Sequence, residues 1–255
     1  MLAKAAALDP DEVIVDLEDG VAEAEKDLAR EQAVPALRGR LARTTAIRIN
    51  GVGTPWWEDD LAAAAEARPD AVVVPKVESP DDLAAVAARL PAGVGIEAQI
   101  ETARGLTEVE RIAGAGHGLE ALVFGPADFA ASVGVPVLTI GAGSWDYALA
   151  RIAVAARANG LQPIDGPHAV LDDEDGLVAS ARRALAHGFD GKWVIHPSQI
   201  APVNEVFTPS PEELARARRL LAADGAVRDE GELVDAASRR LAEALVARAR
   251  AAGAP

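Results

Sequence analysis

The feature that most constrains the fold is a regular alternation of short apolar runs with longer helical stretches rich in Ala, Arg and Glu. Seven such runs occur along the 255-residue chain: VIVDLED (13–19), AIRING (46–51), AVVVPKV (71–77), GVGIEAQIET (93–102), ALVFGPADF (121–129), LQPIDGP (161–167) and GKWVIHP (191–197). The clearest helical stretches between them cover residues 80–90, 146–160 and 174–188. Such alternation is typical of parallel strands joined by right-handed helical crossovers. We therefore predict an α/β fold built on a parallel sheet.

Two α/β architectures fit this pattern. A closed (β/α)8 TIM barrel needs eight strands, whereas this chain supplies seven after a helix-like fragment, MLAKAAAL (1–8). We predict a TIM barrel that lacks its first strand in this chain, with residues 1–205 as the catalytic domain. The alternative is an open doubly wound sheet, which accepts any number of strands.

The last part of the chain, residues 206–255, has a different pattern. A helix over 208–223 begins well, because Ser210 can cap it and Pro211 suits its first turn. A hinge rich in Gly, Asp and Arg (224–232) separates it from a second helical stretch. We predict a C-terminal helical extension that packs on its own barrel or lies at a subunit interface, and we favour the interface.

Polar and charged residues collect at the carboxyl ends of the apolar runs. They are Asp16, Glu18, Asp19, Arg48, Asn50, Lys76, Glu78, Glu101, Asp128, Asp165 and His196. In a barrel these ends form one rim, which is where the active sites of such barrels lie. An open sheet would spread the same residues along a line without a shared target, so this pattern favours the barrel.

The stretch IEAQIETARGL (96–106) carries two acids, Glu97 and Glu101, inside an apolar run. Buried charges are costly unless they are paired or hold a cation. Glu101 and Asp128 end adjacent predicted strands, and a set of oxygen ligands without cysteine points to Mg²⁺, or to Mn²⁺. The alternative is that Glu101 forms a buried ion pair with Arg104 or Lys76. Glu97 lies four residues earlier on the same predicted strand, so its side chain points to the same side as that of Glu101. It lies deeper in the barrel or at the opposite end of the strand.

Other polar groups on the same predicted rim are candidates for substrate contacts. The planar guanidinium of Arg48 suits a carboxylate or enolate oxygen, and the alternative is a salt bridge to Glu18 or Asp19. The run DLEDGV places three acids, Asp16, Glu18 and Asp19, within four residues, and one or two of them could hold metal-bound waters unless the run is a solvated face. Gly125 and Pro126 would let the backbone come close to a bound group, unless they form an ordinary turn.

Composition excludes several classes of function. A net charge of −15 repels the phosphate backbone, so we expect no nucleic-acid partner. The chain has no cysteine, which excludes disulfides and thiolate catalysis. No apolar run approaches the ~20 residues needed to cross a bilayer, and MLAKAAALDPDE (1–12) lacks the apolar core that a signal peptide needs. We expect a soluble cytoplasmic protein without a membrane partner.

A series of ordered motifs resembles a known family. They are VIVDLEDGVAEAEKDLAR, IRING, VVVPKVESPDDL, IETARGL, LVFGPADFAASVG, IDGPHAVLDDEDGL and GKWVIHPSQIAPVNEVFTPSPEEL. Over about residues 3–221 the chain is similar to the citrate lyase β-subunit-like acyl-CoA lyases, which include malyl-CoA and citramalyl-CoA lyases. The resemblance implies a TIM barrel, Mg²⁺, a homotrimer or hexamer, and the making or breaking of a C–C bond beside a CoA thioester.

The resemblance also implies roles for individual residues. Glu101 and Asp128 match the metal ligands of the family, and Arg48 matches the arginine that steadies the substrate's oxygens. Glu18 and Asp19 match the acids near the metal-bound waters.

Two features at the ends of the chain bear on the resemblance. Family members carry a C-terminal acid in a Val-Asp context, supplied across the subunit interface, and ELVDAASRRLA matches it at Asp235. The family's proline two residues later is replaced here by Ala237.

The family also begins with a strand ending in an Arg/Ser-rich, Phe-Val-Pro-Gly-like segment, and this chain starts after it. We therefore expect the eighth strand to lie upstream.

These observations lead to a functional hypothesis with two alternatives. We expect a Mg²⁺-dependent lyase that cleaves or forms a 3-hydroxyacyl-CoA, giving acetyl-CoA and a 2-oxo acid such as glyoxylate, pyruvate or oxaloacetate. In this scheme Arg48 neutralises charge on oxygen and Asp235 of a neighbouring subunit moves the proton. The alternatives are a metal-dependent aldolase acting on free 2-oxo acids and an inactive truncated subunit that serves as a scaffold.

Overall fold

The central element of the fold is a parallel sheet. The computed structural model describes residues 8, 10–39, 41–136, 144–223, 227–229 and 231–253. Within them the sheet has seven strands: β1 (Glu12–Asp16), β2 (Thr44–Arg48), β3 (Ala71–Val74), β4 (Gly95–Ile100), β5 (Leu119–Phe124), β6 (Gln162–Asp165) and β7 (Gly191–Lys192). All neighbours are parallel and follow each other in sequence order.

This strand order distinguishes between the two predicted architectures. A doubly wound sheet reverses its strand order at a switch point, whereas the strands of a TIM barrel follow each other without reversal. The observed order is that of a barrel wall, so the alternative of a doubly wound sheet is wrong. Among the described residues β1 pairs with β2 alone and β7 with β6 alone. The sheet therefore forms part of a barrel wall, and closure by an eighth strand stays a prediction.

Helices follow the strands, as the sequence predicts. In the first part of the chain they are α1 (Lys26–Arg38), α2 (Trp57–Ala67), α3 (Pro80–Ala87), α4 (Ala103–Thr107), α5 (Val109–Ala113), α6 (Pro126–Ser132), α7 (Asp146–Ala158) and α8 (Glu174–Ala186). Ser79 caps α3 by accepting the backbone N–H of Asp82, and Pro80 is its first residue. None of the helices in the described ranges is both long enough and apolar enough to cross a membrane.

The core is mainly aliphatic. Every residue of β3 is a buried Ala or Val, and every residue of β4 is buried as well. Ala46, Ala71 and Val73 form a cluster on one face of the sheet, and the partly buried Ile14 and Trp193 pack against it. Small side chains on neighbouring strands let the bulkier Ile14 and Trp193 fill the space between them, as expected for the inner face of a barrel wall.

Two predicted elements differ from the observed ones. The run 191–197 forms a strand only at Gly191–Lys192, and His196 instead precedes a short 3₁₀ helix, Pro197–Gln199. Asp16 and Arg48 are the last residues of their strands, whereas most of the other polar residues at strand ends lie in the loops that follow. The rim is therefore built mainly from loops, as is usual for barrels of this class.

The chain divides into two compact units, residues 1–200 and 201–255, beside the predicted boundary between 205 and 206. The second unit contains α9 (Ile200–Phe207, beginning one residue earlier), α10 (Pro211–Ala222), β8 (Val227–Asp229), β9 (Glu232–Val234) and α11 (Ala236–Ala251). Ser210 caps α10 as predicted. Of the predicted hinge over 224–232, residues 227–229 form β8 and residue 232 begins β9, and these two strands pair as an antiparallel hairpin, while residues 224–226 and 230 lie outside the described residues. Of the predicted N-terminal fragment, residues 1–7 lie outside the described residues.

Glu97 lies at the amino-terminal end of the sheet, away from the rim. It is 8% exposed and meets Glu12, the first residue of β1, with the charge of Glu120 nearby. Burial, and then the charge of Glu12 and a hydrogen bond with it, raise the pKa of Glu97 to about 8. Asp70 and Glu120 add further negative charge around Glu12. The two glutamates therefore share a proton at neutral pH rather than holding a metal.

We expect Glu97→Gln to make the stability of the protein less sensitive to pH. The unfolded chain loses this proton near pH 4.5 while the folded protein keeps it to about pH 8. The free energy of unfolding of the wild type therefore falls as pH rises between these values. Gln carries no charge, so the variant should be more stable than the wild type at pH 9 by roughly 1–3 kcal/mol.

Urea denaturation at pH 5, 7 and 9 measures this difference. Glu66→Gln is the control, because Glu66 is exposed on α2 and pairs only across the surface with Arg38. Equal pH slopes for the wild type and Glu97→Gln would show that Glu97 is already ionised in the folded protein.

Candidate metal and active site

The polar residues of the rim form one connected cluster in the first unit. It joins the ends of β1, β2, β3, β4 and β5 through side chains that bond or face each other. We call it the rim cluster, and its members are Asp16, Glu18, Asp19, Arg48, Lys76, Gln99, Glu101 and Asp128.

Glu101 is the most enclosed member. It directly follows β4 and its exposed fraction is 0%. Its Oε1 accepts the backbone N–H of Lys76 at 2.9 Å, and its Oε2 accepts the side-chain amide of Gln99. Burial, together with the negative charges of Asp128 and Glu18, raises the pKa of Glu101 to about 8. A cation near these carboxylates would offset the repulsion from Asp128 and Glu18 that contributes to this shift.

Gly125 explains how Glu101 fits into this space. A Cβ atom at Gly125 would overlap the Glu101 carboxylate and lie 2.9 Å from Nε2 of Gln99. The backbone after β5 therefore passes directly against the carboxylate of Glu101. The sequence predicted a close approach of the backbone at Gly125 to a bound group, and the observed contact is with a side chain of the protein. Close backbone approach of this kind requires the missing side chain of glycine.

Asp128 lies in the first turn of α6, just beyond β5. Its carboxylate is about one-third exposed, and its Oδ1 is 3.6 Å from Nζ of Lys76. Pro126, predicted to contact substrate, is buried as the first residue of this helix and lies close to Gly166. Its observed contribution is to start the helix that carries Asp128.

Lys76 lies between the acids. Its ammonium pairs with Oε1 of Glu18 and lies 3.8 Å from Oδ2 of Asp19. Its backbone has a φ of 52°, a left-handed conformation that is uncommon for a residue with a side chain. In this conformation the N–H of Lys76 bonds Glu101 while its side chain reaches Glu18 and Asp128. One residue therefore contacts both proposed metal ligands.

Arg48 is held by two acids. Its Nε and Nη2 donate to the two carboxylate oxygens of Asp16 at 2.8 and 2.7 Å, and its Nη1 is 3.0 Å from Oε2 of Glu18. Burial by itself would lower the pKa of Arg48, but the contacts with Asp16 and Glu18 outweigh it and raise that pKa. The salt bridge to Glu18 that the sequence left as an alternative is present, whereas Asp19 pairs with Lys76.

The rim cluster fits a hard divalent cation. Its donors are carboxylate oxygens, the ligands that Mg²⁺ prefers, and Glu101 and Asp128 follow neighbouring strands. Among the described residues no group of three or more Asp, Glu, His or Cys side chains is arranged to hold a metal. That is consistent with Mg²⁺, which commonly takes one or two carboxylates and completes its shell with water and substrate. The predicted alternative pair is not formed with Arg104, which faces Glu108 at 3.8 Å.

A cleft opens beside the cluster. It has a volume of about 450 Å³ and is lined by Val52, Pro75, Lys76, Glu78, Ser79, Asp82 and Arg104. Because Lys76 lines the cleft and also contacts the acids, the two spaces adjoin each other.

Some members of the cluster were not predicted from the sequence as site residues. Gln99 is one of them, although its position two residues before Glu101 gives it the same facing on β4. Asp16 was predicted as a strand end and as one of three acids in DLEDGV, yet it is the main partner of Arg48. The register that pairs Asp16 with Arg48 on β1 and β2 was not evident from the sequence.

Asp235 belongs to the second unit, where it caps α11. Its Oδ1 accepts the backbone N–H groups of Ala237 and Ser238 at 2.8 and 3.2 Å. The bonds from Ser238 and then Ala237 lower the pKa of Asp235, and its side chain is exposed. It is therefore an ionised carboxylate near neutral pH, as a proton acceptor needs to be.

Comparison with known proteins assigns the chain to a family. A model described as HpcH/HpaI aldolase/citrate lyase matches residues 1–197. An L-malyl-CoA/beta-methylmalyl-CoA lyase of Cereibacter sphaeroides is 38% identical, with 98% of this chain and 90% of that protein covered. A (3S)-malyl-CoA thioesterase of the same species is also 38% identical, over 96% of this chain and 85% of that protein.

A solved structure agrees with these sequence relatives. It is the protein CitE from Mycobacterium tuberculosis in complex with magnesium, acetoacetate and coenzyme A. That structure is 37% identical, covers 97% of this chain and 92% of its own, and superposes with a TM-score of 0.83. The strand order, the rim cluster and these relatives agree, and the chain belongs to the HpcH/HpaI aldolase/citrate lyase family.

Proposed function

We propose that the protein is a Mg²⁺-dependent carbon–carbon lyase acting on a CoA thioester. It would cleave or form a 3-hydroxyacyl-CoA of the malyl, citramalyl or citryl type, with acetyl-CoA and a 2-oxo acid as the other side of the reaction. The observation that carries this proposal is the convergence of Glu101 and Asp128 on Lys76, beside Arg48, at the carboxyl edge of the sheet. The lyase relative and the CitE complex with magnesium and coenzyme A support it.

Glu101 and Asp128 would hold the ion, and Glu18 and Asp19 would bind its waters. When bound, Mg²⁺ supplies a Lewis acid that polarises the oxygen of the 2-oxo acid unit. Mn²⁺ prefers the same oxygen ligands and could replace it.

Arg48 would stabilise negative charge on the substrate's oxygen. Asp16 accepts hydrogen bonds from Nε and Nη2 of Arg48. The Nη1 side of the guanidinium, which lies beside Glu18, would then meet the substrate. Because Asp16 fixes the plane of the guanidinium, little reorganisation is needed when charge develops.

In the cleavage direction the bond between the hydroxyl-bearing carbon and the carbon next to the thioester breaks. The hydroxyl loses its proton and becomes the carbonyl of the 2-oxo acid, while the bonding electrons pass to the thioester enolate. Asp235, supplied by a neighbouring subunit of a trimer or hexamer, would accept the hydroxyl proton and then donate it to the enolate carbon, which gives acetyl-CoA and returns Asp235 to its ionised form. Pro126 would contribute by starting the helix α6, which carries Asp128 beside the substrate.

A product assay tests the proposal. The full chain is incubated with Mg²⁺ and malyl-, citramalyl- or citryl-CoA, and acetyl-CoA, 2-oxo acid and free CoA are each quantified. The proposal requires equal amounts of acetyl-CoA and 2-oxo acid, and loss of both with EDTA. Free CoA without a 2-oxo acid would mean thioester hydrolysis, the activity named for one relative. Cleavage of free acids alone would indicate an aldolase, and no turnover a scaffold.

Asp235→Asn is expected to lower kcat at least about 100-fold with little change in thermal stability. Asn caps helices about as well as Asp, so the start of α11 is retained while the proton acceptor is lost. Mixing Asp235→Asn with Glu101→Gln subunits, each inactive alone, should restore part of the activity if the acid acts on a neighbour's site. Full activity of Asp235→Asn would leave this residue as a helix cap only.

A further inference from the structure

The ammonium of Lys76 lies where the carboxylates of the rim cluster come closest together. It pairs with Glu18 and is 3.8 Å from Asp19 and 3.6 Å from Asp128. The backbone N–H of the same residue holds Glu101. Four acids that would repel each other are therefore gathered around one positive charge, and this arrangement makes Lys76 part of the proposed metal site.

A divalent ion and this ammonium need the same oxygens. An ion bound to Asp128 and Glu101 would lie within a few ångströms of Nζ in its present position, and charges of like sign repel strongly at that distance in a partly buried site. The repulsion falls if the ammonium moves away. Its side chain is 38% exposed, so it is not locked in place by packing.

The adjoining cleft offers a place for the displaced ammonium. Lys76 already lines it, and so do the carboxylates of Glu78 and Asp82. Asp82 is engaged in capping α3, because its Oδ2 accepts the N–H groups of Glu78 and Ser79. The exposed carboxylate of Glu78 is therefore the natural new partner.

We propose that Lys76 is the resident counter-cation of the rim cluster, and that a divalent ion binds by displacing its ammonium toward the cleft. Lys76 is then a positioning residue that sets metal affinity and holds the acids in place before the ion arrives. This inference rests on the proposed metal site and deepens it. It also accounts for the left-handed backbone of Lys76, which allows its N–H to bond Glu101 while its side chain serves the other acids.

Calorimetric titration with Mg²⁺ alone tests the competition. Lys76→Met keeps the length and apolar stem of the side chain but removes the charge, so it should bind Mg²⁺ about tenfold more tightly or better than the wild type. Lys76→Arg keeps the charge and should not show this gain. Arg104→Met is the matched control, because it removes a positive charge from the same cleft, and its affinity for Mg²⁺ should stay within about twofold of the wild type.

Chemical labelling of the unaltered protein provides a second test that does not depend on a variant. The chain has four lysines, and Lys26 and Lys192 are held in buried hydrogen bonds that serve as internal references. Acetylation of Lys76, followed by mass spectrometry, should become several-fold faster when Mg²⁺ is added, while the two references stay unchanged. The side chain gains access to solvent when it leaves the carboxylates.

The outcomes separate this inference from the proposed function. Unchanged or weaker Mg²⁺ binding by Lys76→Met, or slower labelling of Lys76 with Mg²⁺, would overturn the competition while leaving the metal site intact. An equal gain in Mg²⁺ affinity in Arg104→Met would show that the effect comes from general electrostatics, and this result would also overturn the competition. Absence of Mg²⁺ binding by the wild type, with Glu101→Gln identical to it, would reject the metal site and with it this inference.

Discussion

Glu101→Gln is expected to reduce the lyase activity by at least about 1,000-fold and to abolish measurable Mg²⁺ binding. The amide is the same size as the carboxylate but has no charge and only one acceptor oxygen. Both oxygens of Glu101 receive N–H donors, from Lys76 and from Gln99. The new NH₂ group must therefore face either the N–H of Lys76 or the side-chain amide of Gln99. The donor that it faces loses its acceptor.

Activity with saturating Mg²⁺ and calorimetric titration of the ion measure the two effects of Glu101→Gln. Glu66→Gln is the control, because it makes the same chemical change at an exposed site that pairs with Arg38. It should match the wild type in both measurements. A Glu101→Gln enzyme that retains activity and its sensitivity to EDTA would show that the ion is held elsewhere.

Arg48→Lys is expected to lower kcat/KM by about 100-fold or more and the free energy of unfolding by about 2–4 kcal/mol. A lysine cannot make the paired bonds that Arg48 donates to both oxygens of Asp16. It also cannot reach Glu18 at the same time, so this largely buried carboxylate keeps Lys76 but loses its second cationic partner. Both the site and the fold therefore depend on the shape of the guanidinium, and charge alone is not enough.

Steady-state kinetics and urea denaturation separate these two effects of Arg48→Lys. Arg38→Lys provides the comparison, since Arg38 pairs with Glu66 on the surface and should change stability by no more than about 0.5 kcal/mol. If Arg48→Lys lost stability but kept kcat/KM, Arg48 would be a structural counterion for Asp16 and Glu18 and would have no part in the reaction.

The two glutamates of β4 and its following loop illustrate what the sequence could predict. Glu97 and Glu101 have the same facing, and only their positions along the strand distinguish them. The sequence indicated that Glu101 belongs to the rim, because parallel strands bring their carboxyl ends to one edge. It did not reveal the partner of Glu97, because Glu12 lies on β1 and the strands β2 and β3 stand between them in the sheet.

The other differences have local physical causes. The left-handed conformation of Lys76 follows from its bond to Glu101, a contact across 25 residues that no local pattern encodes. The hairpin of β8 and β9 consists of three-residue strands, too short for a period-two pattern to be seen. Arg48 was predicted to contact a substrate oxygen or to pair with Glu18 or Asp19, but its main partner Asp16 became evident only from the register of β1 and β2.

The central claim is that Glu101 and Asp128 hold one divalent ion. Crystals of the full chain soaked in Mn²⁺, which has a usable anomalous signal, test it most directly. The account predicts a single anomalous peak about 2.0–2.3 Å from a carboxylate oxygen of each residue, with waters in the remaining positions. A peak bound to only one of the two acids, or located at the Glu12–Glu97 pair, would contradict it.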